Sequence, residues 1–345
     1  MTADTVGGVW TYALELADAL APYGVEVQLA TMGPHLSGAQ RQEVADSAVT
    51  RLHESAYPLE WMPEPWAGVD EAGGWLLGLE RQVRPDVVHL NGYVHAALPW
   101  QTPTVVVAHS DVLSWWRAVH GEPAPAQWRA YRHRVHGGLT AAGRVVAPTA
   151  AVAADLAREY GVDDVTVVPN CRRLGLIPAA AKEPLILAAG RVWDEAKNLV
   201  ALCRVASRVH APIVVAGDTW NEPMPDVRLL GPLPFPELAG WMARAAVFAA
   251  PARYEPFGLG PLEAAQAGCA LVLGDIPSLR EVWGPAATYV RTDDGLASRL
   301  SLLTTDLGEA ARRGHAAAER AARFRPARTA AGYLEVYAAV PAGSR

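Results

Sequence analysis

Short runs of apolar residues recur along the chain, and each leads through a turn rich in Gly, Pro or Asn into a segment with helical periodicity. Runs this continuously hydrophobic, interleaved with helices, are typical of parallel β-sheets covered by helices on both faces. The pattern therefore predicts an α/β protein. Strands are predicted at residues 25–31, 86–92, 104–110, 144–149, 165–170, 184–190, 212–217, 227–231, 245–252 and 270–275.

The predicted strands fall into two sets, separated by residues 170–184, where no clear period is found. We interpret this segment as a linker, because 345 residues are enough for two domains that each have a sizeable core. The first set begins unusually, since only MTADTV precedes the helical segment that starts at Gly7. Either the first strand is very short, or it lies upstream of Met1.

Composition and charge exclude several classes of protein. The formal net charge of −6 provides no general attraction to nucleic acid or to anionic membranes. The three cysteines are widely spaced and form no CxxC pair, which argues against a disulfide scaffold or a zinc site. The sequence has no long apolar run and no basic-then-apolar leader. We therefore expect a cytoplasmic protein without a transmembrane segment, although peripheral membrane contact and the oligomeric state stay open.

The stretch ARYEPFGLGPLEAAQAG, residues 252–268, is predicted to form a tight loop and a helix after a buried strand. In open α/β sheets, ligands bind beyond the carboxyl ends of the strands, and a helix N-terminus suits a phosphate. Gly258 and Gly260 would let the backbone approach that phosphate. Glu263 could then accept hydroxyl protons from a ribose, and Glu255 those of a sugar. Alternatively, the two glutamates are a helix-capping and a solvated loop residue.

A second stretch, GRVWDEAKN at residues 190–198, follows a predicted strand of the same set and leads into a helix. Arg191 and Lys197 lie at its two ends, where two cations could neutralise the charge of a departing diphosphate. Each charge-assisted hydrogen bond would contribute about 1.5–3 kcal/mol. The alternative is that both side chains are solvated and pair with Asp194 and Glu195.

Together these stretches resemble the retaining glycosyltransferases of family 4, which have the GT-B fold. The spacing of Glu255 and Glu263 matches that family's E-x7-E motif, and GRVWDEAKN is similar to its diphosphate loop. GGVWTYALELADAL, TVVVAHS, VVPN and RPARTAAGYLEVY are similar to family segments in the same order, so the resemblance covers essentially the whole chain. The chain departs from the family at Cys171, where a glycine is usual.

The resemblance implies two Rossmann-like domains that face each other across a cleft. Residues 1–175 would form the acceptor-binding domain and residues 176–325 the domain that binds the nucleotide-sugar donor. Residues 326–345 would form a helix that returns to the N-terminal domain. The cleft would open to exchange ligands and close to exclude water.

The resemblance also implies roles for individual residues. Catalytic roles would fall to His109, which faces the donor sugar, to Arg191 and Lys197 on the diphosphate, and to Glu255 on the transferred sugar. Glu263 would bind the ribose of the donor. The other donor contacts would be made mostly by backbone groups: those of Gly7 and Gly8 near the phosphate and sugar, of Leu230 along the nucleobase, and of Phe257, Gly258 and Leu259 beside the sugar. His109 could instead be a satisfied core histidine.

The expected reaction moves a sugar from a UDP- or GDP-sugar to a small-molecule acceptor by front-face attack with retention. No Asp-x-Asp motif and no cluster with metal-ligand spacing occurs, so the sequence requires neither a metal nor another cofactor. Two further hypotheses remain: a non-catalytic nucleotide-sugar binding subunit, and an epimerase or hydrolase with the same fold. An oxidoreductase is unsupported, because no G-x-G-x-x-G follows a strand.

The acceptor side is less determined by the sequence. Eight of the twelve tryptophans precede residue 130. They could stack on a sugar or an aromatic acceptor, but packing in the core and at its rim is the more common role. Residues 115–138 interleave Trp and Tyr with Arg and His, a pattern compatible with an anionic acceptor or lipid and more often found on a solvated helix face.

Overall fold

The computed structural model describes residues 1–173, 180–217 and 226–340. The chain divides into two compact units, which we describe separately. Unit 1 comprises Met1–Cys171 and Arg325–Arg345, and unit 2 comprises Arg172–Phe324. The predicted boundary after residue 175 lies outside the described residues, as do positions 174–179 of the predicted linker and 341–345 of the predicted last helix.

The strands pair in parallel throughout the described residues. In unit 1 they are β1 (Thr2–Asp4), β2 (Val27–Met32), β3 (Val49–Glu54), β4 (Val88–Leu90), β5 (Thr104–Val107), β6 (Arg144–Ala147) and β7 (Val165–Val167). In unit 2 they are β8 (Glu183–Ala189), β9 (Ile213–Ala216), β10 (Arg228–Gly231), β11 (Ala245–Ala250), β12 (Ala270–Gly274) and β13 (Thr288–Val290).

The helices lie between these strands or follow the last of them, β13. They are α1 (Gly8–Leu20), α2 (Gly38–Ala45), α3 (Trp66–Val83), α4 (Val112–His120), α5 (Arg129–Ala141), α6 (Ala150–Tyr160), α7 (Val200–Ala206), α8 (Phe235–Arg244), α9 (Leu259–Gln266), α10 (Pro277–Trp283), α11 (Asp293–Thr305), α12 (Leu307–Ala321) and α13 (Pro326–Ala339). Among the described residues, no helix is both long and apolar enough to cross a membrane.

Unit 1 contains a sheet with the order β1-β2-β3 and another with the order β4-β5-β6-β7. β1 and β4 are joined through Asn91, whose backbone N–H donates to Thr2 Oγ1 and whose side-chain amide donates to the Thr2 carbonyl. The last helix, α13, belongs to this unit, since Tyr333 and Val336 are buried in one cluster with Tyr12 and Leu16 of α1. Its apolar face is therefore part of the unit 1 core.

Unit 2 is built around a single sheet with the order β10-β9-β8-β11-β12-β13. Leu187 of β8 pairs with Val214 of β9 on one side and with Phe248 of β11 on the other. Apolar clusters cover both faces of the sheet, which explains why its strands are almost continuously hydrophobic. The order is that of a Rossmann fold, in which the direction of winding reverses between the first and fourth strands, here β8 and β11.

Each of the ten predicted strands corresponds to an observed one, but β1, β3 and β13 were not predicted as defined strands. β1 has three residues, in line with a very short first strand. β3, with the sequence VTRLHE, is at the edge of its sheet and half-exposed, so it lacks a buried apolar run. β13 is also an edge strand and has three residues.

Candidate functional site

The carboxyl ends of β8 and β11 are adjacent in the unit 2 sheet, at the point where the winding reverses. Loops that leave such a point in opposite directions open a crevice in which ligands bind. The loop after β8 carries Arg191 and Lys197, and the loop after β11 carries Glu255. The fold thus brings three of the predicted site residues to one edge of one sheet.

The loop after β8 is shaped by its backbone and by one carboxylate. Gly190 has a φ of 152° and Asn198 a φ of 51°, a conformation that asparagine tolerates better than most residues. The Arg191 guanidinium lies 2.7 Å from Asp194 Oδ2, while Asp194 Oδ1 accepts from the Ala196 N–H at 3.0 Å. Arg191 therefore pairs with Asp194, as in the alternative interpretation of the sequence. Its side chain nevertheless stays 35% exposed.

Lys197 and Glu255 connect the two loops. The Lys197 Nζ donates to Glu255 Oε2 at 2.5 Å, and the two side chains are 24% and 17% exposed. The Arg253 N–H donates to the Ala196 carbonyl at 2.8 Å, and the Asn198 amide donates to the Pro251 carbonyl at 2.9 Å. Lys197 is thus paired across the loops with Glu255, whereas the alternative from the sequence was Glu195.

The N-terminus of α9 lies directly after this loop. Its N-cap is Gly258, with a φ of 91°, and no side chain caps the helix. The first N–H groups of such a helix point outward and carry partial positive charge. Phe257 is buried in the unit 2 core, where its ring packs edge-on against Phe324. Phe257 and Gly258 can therefore offer only backbone groups to a ligand at this loop. Leu259 is half-buried.

Glu263 is more buried than expected. Its Oε1 accepts from Arg172 Nε at 2.7 Å, and only 11% of its side chain is exposed. If both side chains bind a nucleotide, the sequence predicts that Lys197 and Glu263 are at least partly exposed; this is confirmed for Lys197 and wrong for Glu263, which is buried in its ion pair with Arg172. The Arg172 guanidinium also lies 4.6 Å over the Phe235 ring. Arg172 was not singled out in the sequence, although it directly follows the unusual Cys171.

Leu230 lies in β10, the edge strand of the unit 2 sheet. Its side chain is half-buried against the core cluster on one face of the sheet, while the neighbouring Leu229 is exposed. β10 pairs with β9 on one side, and in the described residues no strand pairs with its other side. The backbone groups on that side of β10 therefore have no strand partner in the described residues, and the contact of Leu230 with a nucleobase stays a prediction.

In unit 1, Gly7 and Gly8 form the start of α1. Gly7 is the N-cap, with a φ of 76°, and no side chain caps this helix either. Both glycines are exposed. The backbone amides of this turn are therefore available to a ligand at the carboxyl end of β1.

His109 lies two residues after the end of β5 and is half-buried. Its Nε2 lies 2.9 Å from Asn91 Oδ1, and its ring packs edge-on against Tyr12 with 4.4 Å between the ring centroids. Burial lowers the pKa of His109 to about 3, so the imidazole is neutral at physiological pH. The partial exposure distinguishes His109 from His89, which is buried in the same part of unit 1.

A pair of carboxyl groups that the sequence analysis missed lies in unit 1. Burial and the neighbouring Glu60 raise the pKa of Asp4 to about 8. Burial raises the pKa of Glu60 to about 7, although the Tyr93 and Val94 N–H groups donate to its carboxylate. Neither residue belongs to a sequence motif, and 56 positions separate them, so only the fold reveals the pair.

The sequence allowed two roles for the tryptophans, stacking on a ligand and packing in the core and at its rim, and the burial of those in unit 1 supports packing. Trp66, Trp75, Trp115 and Trp116 are half-buried, and Trp61 is exposed. Packing at the rim of the core therefore accounts for most of them. Residues of α4, of α5 and of the segment between them line an open cavity of about 230 Å³, with Leu113, Trp128 and Arg129 among the lining residues.

Two family models match the chain. One, described as Glycosyltransferase Family 4, matches residues 6–174, and the other, described as Glycosyl transferases group 1, matches residues 183–306. A D-inositol 3-phosphate glycosyltransferase from Xylanimonas cellulosilytica is 30% identical over 402 residues, with 96% of this chain and 91% of the relative covered. A glycogen synthase from Mycobacterium tuberculosis is 26% identical, with coverage of 99% and 93%.

Solved structures show the same fold. Sucrose-phosphate synthase from Thermosynechococcus elongatus has a TM-score of 0.79 and 19% identity, with 98% of this chain and 94% of that chain covered. HepE from Anabaena, solved in complex with UDP-glucose, has a TM-score of 0.75 and 14% identity, with 98% of each chain covered. The predicted fold class, two Rossmann-like domains of the GT-B type, is thereby confirmed.

Proposed function

The chain belongs to glycosyltransferase family 4 and is a glycosyltransferase, and on that premise we propose that it moves a sugar from a nucleoside-diphosphate sugar to a small-molecule acceptor with retention of configuration. One observation carries the proposal: Arg191, Lys197, Glu255 and the uncapped start of α9 meet at the winding reversal of unit 2. The donor is a UDP- or GDP-sugar. The UDP-glucose complex of HepE, a protein of the same fold, favours this class of donor.

Charge explains why the site suits a diphosphate. The Arg191 guanidinium, the Lys197 ammonium group and the N-terminus of α9 each attract an anion. Both side chains are partly exposed. Asp194 and Glu255 hold these cations in place before the ligand arrives. When a diphosphate binds, Lys197 turns from Glu255 to the phosphate oxygens, and the released carboxylate accepts hydrogen bonds from hydroxyls of the transferred sugar. The ion pair is thus the resting form of the site.

The mechanism that we propose needs no protein nucleophile. The bond between the sugar and the diphosphate breaks first, and Arg191, Lys197 and the α9 N-terminus stabilise the charge on the leaving oxygen. The acceptor hydroxyl attacks from the same face, and its proton passes to the departing phosphate oxygen. Glu255 orients the sugar and stabilises its developing positive charge. In this proposal the cationic groups do the work of a divalent metal, so neither a metal nor another cofactor takes part.

We assign the remaining roles by position in each unit. Glu263 binds the ribose and the backbone near Leu230 lies along the nucleobase, while Phe257, Gly258 and Leu259 offer backbone groups to the sugar. In unit 1, the amides of Gly7 and Gly8 contact the donor, and His109 forms a hydrogen bond with a hydroxyl of the reacting sugar. The acceptor binds to unit 1.

Calorimetric titration with UDP, GDP, ADP and dTDP tests the donor site. We expect one nucleotide to bind best to the wild type and Arg191→Ala to weaken that binding at least about tenfold, since a charge-assisted hydrogen bond contributes about 1.5–3 kcal/mol. Arg204→Ala is the matched control, because Arg204 forms a similar ion pair with Asp293 elsewhere in unit 2. Equal affinity in the Arg191→Ala variant would refute the site. Unchanged transfer in the presence of EDTA tests metal independence.

A further inference from the structure

Aromatic and polar side chains form a hydrogen-bonded cluster in unit 1 that includes His109. Its members come from α1, β4, the turn after β4, the loop after β5 and α13. They are Tyr12, His89, Asn91, His109, Tyr333 and Tyr337. We name this set the His–Tyr cluster. None of its members apart from His109 has a role in the reaction as described so far.

The orientation of the Asn91 side chain follows from its hydrogen bonds. Its Nδ2 lies 2.7 Å from the Thr2 carbonyl oxygen, which can only accept, so the atom that faces Thr2 must be the amino group. The Asn91 backbone N–H also donates to Thr2 Oγ1 at 2.9 Å, which ties the residue to β1 at two points. The amide oxygen is therefore fixed on the side of the imidazoles.

Asn91 Oδ1 determines where the proton of His109 lies. This oxygen is 2.9 Å from His109 Nε2, and since it can only accept, the Nε2 must carry the hydrogen. Because burial keeps the pKa of His109 near 3, the ring has a single proton and Nδ1 has a free lone pair. In the part of the chain that the structure describes, His109 Nδ1 has no hydrogen-bond partner.

The C-terminal helix supports the same assignment from the other side. Tyr337 OH lies 2.8 Å from His89 Nδ1 and can donate to it, so that His89 Nε2 carries the hydrogen and faces Asn91 Oδ1 at 3.3 Å. The Asn91 oxygen then accepts from both imidazoles. Burial lowers the pKa of His89 to about 3 as well, so the cluster holds no imidazolium at neutral pH.

We propose that Asn91 is a positioning residue that holds His109 as the Nε2–H tautomer, so that Nδ1 accepts a hydrogen bond from a sugar hydroxyl. This inference rests on the proposed function, in which His109 contacts the reacting sugar. It also predicts which ligand groups His109 selects. A group that can donate a hydrogen bond to Nδ1 is favoured, whereas a carboxylate at the same position is disfavoured, because neither the carboxylate nor Nδ1 has a hydrogen to donate. His109 takes no part in proton transfer.

The tautomer can be measured directly by ¹⁵N NMR of the full chain labelled at its histidine rings. In the wild type we expect a protonated Nε2 and an unprotonated Nδ1 for His109 throughout about pH 5–9, the range in which an ordinary histidine would titrate. Asn91→Ala should give a mixture of tautomers. Tyr337→Phe is the control, because it removes the partner of His89 Nδ1 and leaves the hydrogen bond that His109 Nε2 donates to Asn91 Oδ1. A wild-type ring protonated at Nδ1 would overturn the proposal, and this result does not depend on any variant folding.

Activity provides a second readout. His109→Asn places an amide oxygen near the position of Nδ1, whereas His109→Gln reaches the position of Nε2, so we expect kcat/KM to fall in both variants and to be about 10- to 100-fold lower in His109→Gln than in His109→Asn. Equal losses in the two variants would contradict the acceptor role of Nδ1. Nucleotide binding distinguishes failure of this inference from failure of the proposed function. If the nucleotide binds normally but His109 is protonated at Nδ1, only this inference is refuted. If His109 is protonated at Nε2 but no nucleotide binds, only the proposed function is refuted.

Discussion

Lys197 Nζ and Glu255 Oε2 lie 2.5 Å apart, and this contact joins the two loops that leave the winding reversal of the unit 2 sheet. The residues are 58 positions apart in the chain. They meet because β8 and β11 are neighbours in the sheet and because parallel strands present their carboxyl ends at one edge. In the proposed reaction, the pair places a cation for the diphosphate and a carboxylate for the sugar side by side.

The first prediction concerns the charge of Glu255. Glu255→Gln keeps the shape of the side chain and releases Lys197 from its counter-ion, so we expect the nucleoside diphosphate to bind about 3- to 10-fold more tightly, equivalent to about 1 kcal/mol. Sugar transfer should fall about 10- to 100-fold, since the amide makes weaker hydrogen bonds with the sugar hydroxyls. Calorimetry measures the first effect and initial rates measure the second.

Glu183→Gln is the control for this prediction, because Glu183, at the start of β8, is likewise paired with a basic side chain, that of Arg244. Neither nucleotide affinity nor transfer should change in that variant. Weaker nucleotide binding by Glu255→Gln would show that the carboxylate does not compete for Lys197, and the resting-state role of the ion pair would have to be abandoned.

The second prediction concerns the close approach of Gly217, after β9, to Gly190, after β8. A Cβ at Gly217 would lie 1.9 Å from the Gly190 carbonyl oxygen, so Gly217→Ala must displace the loop that carries Arg191 and Lys197. We expect at least about a tenfold loss of nucleotide affinity, since both of the proposed phosphate contacts depend on that loop. Tm should also fall, because the loop moves away from its hydrogen bonds.

Gly240→Ala is the matched control. Gly240 lies within α8, and a Cβ there would meet nothing within 4 Å. Alanine is favoured over glycine in a helix interior by about 1 kcal/mol, so this variant should melt at the same or a higher temperature and bind nucleotide normally. Nucleotide affinity unchanged by Gly217→Ala would mean that the loop after β8 does not hold the diphosphate.

The third prediction concerns the ion pair between Arg172 and Glu263. Both side chains are largely buried. Because Arg172→Ala removes the arginine partner of the Glu263 carboxylate, it should destabilise the protein by about 3–5 kcal/mol. Arg172→Ala and Glu263→Gln together should cost less than the sum of the two single changes, because the residues share one interaction. Thermal unfolding of the two single variants and the double variant gives the coupling.

The ribose role of Glu263 is tested in the same variants. Glu263→Gln should weaken nucleotide binding at a temperature well below its Tm, whereas Leu302→Ala, a change at an exposed position of α11, should not. If Glu263→Gln lowers Tm but leaves nucleotide affinity intact, Glu263 serves the stability of unit 2 and not the ribose.

The strands and the loops of the site could be predicted from the sequence because their signals are local. An apolar run such as that of β11, followed by Gly and Pro, marks a strand and the turn after it wherever it occurs. By contrast, the partners of the site residues are distant in the chain. Arg172 meets Glu263 across 91 positions, and no local pattern distinguishes it from the neighbouring Arg173.

The same reason explains why the role of Asn91 could not be predicted. Asn91 contacts Thr2 across 89 positions and His109 across 18, and both distances depend on how β1, β4 and β5 lie side by side. Edge strands were missed for a different reason. β3 and β13 bury too little of their surface to require an apolar run, so their sequences resemble loops.

The last prediction concerns Asp4 and Glu60 and the pH dependence of stability. In the folded protein the pKa of Asp4 is raised to about 8, whereas in the unfolded chain it has its ordinary value near 4. Below about pH 4 both states are protonated and folding has no penalty at this residue. As the pH rises, the unfolded chain loses its proton first, so the stability of the fold decreases until the folded carboxyl also ionises near pH 8.

Asp4→Asn removes this penalty without changing the shape of the side chain. We therefore expect the variant to melt higher than the wild type at pH 8, by an amount that shrinks as the pH is lowered and vanishes near pH 4. Glu60→Gln should behave in the same way with a narrower window, because the pKa of Glu60 is raised only to about 7. Glu122→Gln, at an exposed position, is the control. Melting curves between about pH 4 and pH 8 provide the measurement, and a difference that stays constant over this range would show that the two carboxyl groups are ionised in the fold.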